Sequence, residues 1–263
     1  MRALSIAATG MLAQQTNVEV IANNLANMNT AGFKRQRAEF QDLLYQNIEQ
    51  AGTQSSDTGT VVPSGIQLGA GVRTAAVYRV TSQGDVSQTS NPYDLAINGP
   101  GFFRVQQPDG TDAYTRAGNF ALSPEGQIVT DQGYTVSPGI AVPANALSVS
   151  VNGQGQVQAT IPGQSAPQTL GQLELVRFPN ESGLQAVGGN LFLETASSGT
   201  AQSGLPGSSG YGTIQQGFLE TANVNPVEEI TALITAQRAY EMNSKVISAA
   251  DEMMSMTSRL GGG

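Results

Sequence analysis

The two ends of the chain carry a helical rhythm and the middle does not. Leu4, Met11, Val18 and Leu25 recur every seven residues, and Ile21 and Met28 follow Val18 and Leu25 by three. Apolar positions at that spacing form a stripe along an α-helix that packs lengthwise on another helix. Asn27, Asn29 and Gly32 close the segment, because Asn and Gly tolerate the left-handed backbone that caps a helix. Near the other end, Ala239, Met242, Val246, Ala249, Met253, Met256 and Leu260 repeat with gaps of three and four. Ile230, Leu233 and Ile234 start an earlier stripe on a shifted face. Asn225 suits the N-cap and Pro226 the first helical position, while Glu228 and Glu229 complement the helix dipole. Neither Gly nor Pro interrupts 227–260. At ~1.5 Å per residue this predicts a helix of roughly 50 Å, stopped by the glycines at 261–263.

Between these ends, short apolar runs alternate with turn signals. Asp109-Gly110, Glu125-Gly126 and Gln132-Gly133 are spaced for hairpins. Strands are predicted over 102–106, 113–116, 119–122, 127–130 and 134–136, then over 147–151, 156–161, 173–178 and 191–195. A turn signal about every ten residues suits an antiparallel sandwich or partial barrel. Two tracts rich in Gly and Ser, 50–65 and 197–212, read as loops. The expected fold class is α+β. Long terminal helices (1–36 and 218–263) share one layer, an extended connector covers 37–80, and an inserted all-β domain of antiparallel strands covers 81–217. Both helical stripes are wider than one helix can cover. Either the β middle folds over the excess or neighbouring copies do, and the pattern weighs these readings about evenly.

Composition narrows the chemistry. Only 12% of residues are charged and aromatics total 6% with no Trp, so a core must lean on Val, Ile, Leu and Ala. There is no Cys, which rules out disulfides, thiolate metal sites and a Cys nucleophile. There is no His, which removes the Ser-His-Asp triad, the usual zinc sites and the commonest general base. The net charge of −8 sits wholly in 41–220, since the two ends sum to zero. An acidic middle argues against nucleic acid and against anionic membrane surfaces. No stretch approaches the ~18 apolar residues of a membrane span. The run after Arg2 is short, is broken at Thr9-Gly10 and continues as helix, so a cleaved signal peptide is not expected.

Candidate catalytic and cofactor motifs fail one by one. No Gly-Lys pair exists for a phosphate loop. Gly99-Pro100-Gly101 and Gly69-Ala70-Gly71 lack the third glycine of a dinucleotide fingerprint and read as backbone turns. Asp109 and Asp112 bracket a turn without a calcium-loop pattern. No cofactor and no metal are expected. The basic cluster Lys34, Arg35 and Arg37 is either a solvated face or a contact to acidic groups of a neighbour such as Glu228 and Glu229.

Three blocks carry a family resemblance. Ile21-Ala-Asn-Asn-Leu-Ala-Asn-Met-Asn-Thr-Ala-Gly-Phe33-Lys34 resembles the N-terminal signature of the flagellar rod and hook family. Asp94-Leu-Ala-Ile-Asn-Gly-Pro-Gly-Phe-Phe103, with Tyr114-Thr-Arg-Ala-Gly-Asn-Phe120 and Gly126-Gln-Ile-Val-Thr130, is similar to the β domain of hook and distal rod members. Gln216-Gly-Phe-Leu-Glu-Thr-Ala-Asn-Val-Asn225 and Thr235-Ala-Gln-Arg-Ala-Tyr-Glu-Met-Asn-Ser-Lys245 resemble its C-terminal signature. The chain lacks room for the outer domain of a hook protein, and the tract ending Pro63-Ser-Gly-Ile-Gln-Leu-Gly-Ala-Gly71 looks like the connector of distal rod members. A proximal rod subunit of the same family is the nearest rival.

The resemblance implies a non-enzymatic subunit of a helical homopolymer, the distal rod. The terminal helices of such a subunit form an inner coiled-coil layer with the β domain outside. It implies export through the flagellar type III apparatus without a cleaved signal, and a place in the periplasm reaching the outer membrane. The implied partners are other copies of the chain, proximal rod proteins, the hook protein, and the P-ring and L-ring proteins as bushing, with no nucleic acid and no membrane insertion. The expected subunit interface comprises Leu4, Met11, Val18, Leu25, Ile230, Ile234, Met242, Val246, Met253, Met256 and Leu260. Phe33 is the anchor where the chain leaves the helix. Asn23, Asn24 and Asn27 either cap the helix end or hydrogen-bond across the interface. Two other classes compete: a secreted β-rich adhesin, and an enzyme using a carboxylate pair on peptidoglycan.

Overall fold

The computed structural model describes residues 2–49, 64–164 and 166–260. The predicted loop at 50–65 lies mostly outside the described residues, as do the glycine stop at 261–263 and the side chain of Leu260.

Helix α1 spans Arg2–Ala26 and helix α2 spans Pro226–Leu260. The predicted punctuation sets both. After α1, Thr30 N donates to Asn27 O at 3.0 Å, and Gly32 sits at φ 68°, where a side chain would be strained. At the start of α2, Val227 N donates to Asn225 Oδ1 (3.1 Å), and Asn225 Nδ2 donates to Glu228 Oε1 (3.1 Å). Asn225 is thus a side-chain cap with Pro226 placed where its missing N–H costs nothing.

The chain divides into two compact units. One holds nearly all of α1, residues 36–78 and α2. The other holds residues 26–35 and 79–224. In the first, the segment expected as an extended connector is extended but paired. Gln36–Asp42 ladders with Val72–Arg79, and Tyr45–Glu49 pairs antiparallel with Ile66–Gly69, Tyr45 opposite Gly69. No strand is legible here in the sequence because the partners lie far apart along the chain and their apolar residues do not face a core.

The second unit is built on one nine-stranded antiparallel sheet. Its central strand, Phe102–Gln106, pairs on one side with Asp112–Thr115 and on the other with Thr135–Val136 and Leu175–Arg177. Successive side chains of a strand point to opposite faces, so Phe102 and Phe103 seed two cores. Phe103 packs with Leu95, Ile97, Phe120, Val157 and Leu175, and meets Phe120 edge to face at 5.1 Å. Phe102 packs with Tyr114, Val176, Phe178, Leu184 and Phe192. Aromatic pairs in that geometry add ~0.5–1.5 kcal/mol beyond area burial, which offsets the shortage of aromatic residues in the chain.

The three predicted hairpin turns are present. Gly110, Gly126 and Gly133 take φ of 83°, 81° and 82°, the left-handed region that the tight reversals require. In the first turn, Thr111 donates to Asp109 Oδ1 through its hydroxyl at 2.6 Å and its backbone N–H at 3.0 Å. The Thr111 hydroxyl, and then its N–H, hold the Asp109 carboxyl below its ordinary value of 3.8. A depressed acid favours the folded turn above the ordinary pKa and loses that contribution as pH falls through the folded one. The Asp109 carboxyl and the Thr111 amide are therefore expected to titrate together, with a midpoint below 3.8. A midpoint at or above it in a carboxyl NMR titration excludes these bonds in solution.

Candidate assembly surface

Within the helical unit, α1 and α2 touch through small and polar side chains. Asn24 Nδ2 donates to Glu229 Oε2 at 3.1 Å. A Cβ on Gly10 would stand 2.8 Å from Asn243 Nδ2, so glycine permits the close approach there. Numbers fall along α2 as they rise along α1, so these contacts run antiparallel. The α2 positions involved, Glu229, Ala236 and Asn243, are seven apart, and Ala250 continues the spacing; Glu229, Ala236 and Ala250 are buried and Asn243 half-buried. On α1, Gln14 and Asn17 line a groove with Ala236 and Ala239 of α2.

That seam lies one residue away from the expected apolar stripes. It uses Gly10, Asn17 and Asn24 where the stripe has Met11, Val18 and Leu25, and Asn243 where the stripe has Met242. One residue is about 100° around a helix, so the large α2 side chains turn away from α1. Val227, Ile230, Ile234, Met242, Val246, Met253 and Met256 are all exposed, Met253 at 62%. They extend over about eight turns. Leu4, Met11, Val18 and Leu25 are half-buried. The chain itself therefore does not cover the α2 stripe. A run of exposed apolar side chains this long marks an interaction surface.

The paired strands of the same unit expose a second apolar group that sequence reasoning missed. Leu44 is 88% exposed, and Tyr45, Ile48, Ile66 and Leu68 are exposed beside it. The alternation Ile66-Gln67-Leu68 was the available signal, masked by the Gly-rich and Ser-rich tract before it.

The polar candidates have distinct fates. Asn24 is 1% exposed. Its Nδ2 also donates to Gln36 O (2.8 Å) and its Oδ1 accepts from Gln36 N (2.8 Å), so its amide fastens the returning chain to α1. Asn27 accepts from Thr30 through its backbone and its side chain, the turn role. Asn23 is exposed and Phe33 half-buried. Lys34 corrects the reading of the basic cluster. It is buried and its Nζ donates to Glu220 Oε1 at 2.6 Å and Ser82 O at 2.9 Å within its own unit, so it is neither solvated nor free for a neighbour. The other Glu220 oxygen accepts Arg116 Nε at 2.8 Å and Nη2 at 2.7 Å, and Oε1 also accepts Gly84 N at 3.0 Å. Burial holds the Lys34 ammonium below its usual pKa, and the Glu220 charge opposes that shift. No sequence motif announced Glu220 as the hub, because its partners lie 186 and 104 residues away.

Among the described residues, no group of three or more His, Cys, Asp or Glu could hold a metal ion, and no helix is long and apolar enough to cross a membrane.

Comparison with known proteins finds relatives over nearly the whole chain. Residues 4–34 match the family model "Flagella basal body rod protein", residues 96–159 "Flagellar hook protein FlgE/F/G D1 domain" and residues 215–260 "Flagellar basal body rod FlgEFG protein C-terminal". The chain is 59% identical over 260 residues to the flagellar basal-body rod protein FlgG of Caulobacter vibrioides, covering 99% of each chain. It is 50% identical to FlgG of Buchnera aphidicola subsp. Schizaphis graminum over 98% of each chain. It is 34% identical to the flagellar basal-body rod protein FlgF of Caulobacter vibrioides over 98% of each.

Proposed function

The chain belongs to the flagellar basal-body rod protein family, and from that premise we infer that it is a structural, non-enzymatic subunit of the distal flagellar rod. Identity to the FlgG of one bacterium exceeds identity to its FlgF by 59% against 34%, which favours the distal over the proximal reading.

The observation that carries the mechanism is the uncovered stripe on α2. A surface that meets a different surface of the next copy, by a rotation that does not close, generates a helical filament. Copies of this chain build such a tube. Met242, Val246, Met253 and Met256, with Ile230 and Ile234, seat against the half-buried Leu4, Met11, Val18 and Leu25 face of neighbours. Burial returns ~25 cal/mol per Å² of apolar surface. The heptad spacing makes the inner layer a coiled coil. The exposed Leu44, Tyr45, Ile48, Ile66 and Leu68 are covered in the same assembly. Asn23, Asn27 and Phe33 sit where the chain leaves α1 and fix the register of that contact. The acidic middle faces outward, towards P-ring and L-ring proteins that serve as bushing. Proximal rod proteins and the hook lie at the two ends. Export is by the flagellar type III apparatus without a cleaved signal, into the periplasm.

Full-length protein at rising concentration tests this. Sedimentation is expected to shift abruptly from monomer to large species above a critical concentration, with tubes visible by negative-stain electron microscopy. A monomer that stays monodisperse at high concentration, with its methionines shielded from oxidation, sinks the reading.

A further inference from the structure

The β unit holds a cleft of ≈ 380 Å³ that the assembly mechanism does not use. It is lined by Lys34, Arg79, Arg116 and Arg177 with Glu181, over a floor of Phe102, Leu184 and Phe192. Lys34 and Arg116 share the single charge of Glu220. Counting Glu220 and Glu181 against the four cations leaves a surplus of two positive charges. This stands in a chain with 20 acidic and 12 basic residues, net −8.

The two cations that Glu220 does not neutralise are held in place by neutral partners. Arg79 stacks on the Phe192 ring at 4.8 Å and donates to Leu184 O. Arg177 lies over the Tyr211 ring at 5.8 Å, and its Nε is buried with no hydrogen-bond partner among the described residues. Burial pushes the Arg79 guanidinium below its usual pKa, as expected of a cation that has lost water without gaining an anion. Fixed guanidinium forks over aromatic walls recognise planar oxyanions by paired N–H donors, and the apolar floor strengthens that attraction.

We propose that this cleft binds an oxyanion, and that its occupant in the rod is a carboxylate side chain of a second copy of the chain. The second half rests on the filament reading above. The chain carries 20 acidic against 12 basic residues, so a second copy presents an excess of carboxylates to a basic cleft. One of them entering a neighbour's cleft replaces water that an apolar floor solvates poorly. A contact of this kind ties the β unit of one copy to that of the next.

The full-length chain, dilute enough to stay monomeric, is titrated with glutarate and separately with inorganic phosphate, read at the arginine Nε–H signals by NMR. Both anions are expected to shift Arg79 and Arg177. Arg177→Glu is expected to weaken glutarate binding at least tenfold and to raise the critical concentration for assembly at least tenfold, with Arg177→Lys between it and wild type. Arg177→Gln, which adds no repulsion, should lower binding with unchanged circular dichroism and thermal midpoint. Absence of shifts with either anion overturns the site. Shifts accompanied by unaltered assembly of Arg177→Glu overturn the second-copy occupant and assign the cleft to a free anion. Wild-type protein that binds glutarate but never assembles removes the filament reading and leaves the anion site standing.

Discussion

Glu220→Gln is expected to destabilise the protein by about 3–5 kcal/mol, the usual cost of removing one partner from a buried ion pair. Glu220 is 2% exposed and pairs with both Lys34 and Arg116. Glutamine keeps the volume but leaves two buried cations facing a neutral amide. Urea unfolding followed by circular dichroism, with an unchanged m-value, would measure the loss. The pH dependence carries a signature. Burial already lowers the Lys34 pKa, and Glu220 is the first group opposing that shift. Without Glu220 the folded-state pKa falls further below the unfolded value of 10.5. The unfolded chain then binds more protons than the folded one between those two values, so stability must rise with pH across that window. The variant should regain part of its deficit as pH is raised, relative to wild type. A deficit under about 1 kcal/mol, flat with pH, would mean that water reaches the triad and screens it.

Met242→Asp with Met253→Asp is expected to abolish assembly while leaving the monomer folded. Both side chains are exposed in the single chain, so neither contributes to its core. Burying each methionine at a neighbour is worth ~2 kcal/mol, and every 1.4 kcal/mol is about tenfold in an equilibrium constant. Losing both raises the critical concentration by two to three orders of magnitude, before the cost of burying two carboxylates is added. Sedimentation of the variant at concentrations where wild type forms tubes reads the effect, and circular dichroism confirms that helices and sheet persist. Tubes of normal appearance from the double variant would place the subunit contact elsewhere. Met242→Leu with Met253→Leu conserves the apolar volume and should assemble nearly as wild type does.

The elements whose signals are local were legible in the sequence. Asn225 and Pro226 mark the start of α2, and the geometry has Asn225 capping Val227 N. Asp109-Gly110, Glu125-Gly126 and Gln132-Gly133 mark three reversals, and each glycine takes positive φ. The strand predicted at 102–106 is Phe102–Gln106. Strands with short or weakly apolar sequences were missed, among them Gln168–Gln172, Gln185–Gly188 and Gln202–Gly204, because glutamine and glycine carry no alternation to read. They are strands because a neighbour's edge supplies the hydrogen bonds, as Leu175–Arg177 does for Gln202–Gly204.

What the sequence determined by itself was therefore set within a few residues: helix caps, three glycine turns and the heptad spacing of both ends. Tertiary structure alone decided which face of each helix is used. The seam through Gly10, Asn24, Glu229 and Asn243 lies one residue off the apolar stripes, and a heptad fixes a period without saying which of its faces meets the partner. Tertiary structure alone also joined Lys34, Arg116 and Glu220, three charges scattered over 186 positions, into one buried cluster. The reason is the same in both cases. Local sequence encodes backbone preference and periodicity, whereas a buried charge or a small-residue contact acquires its energy only from atoms that folding brings from elsewhere in the chain.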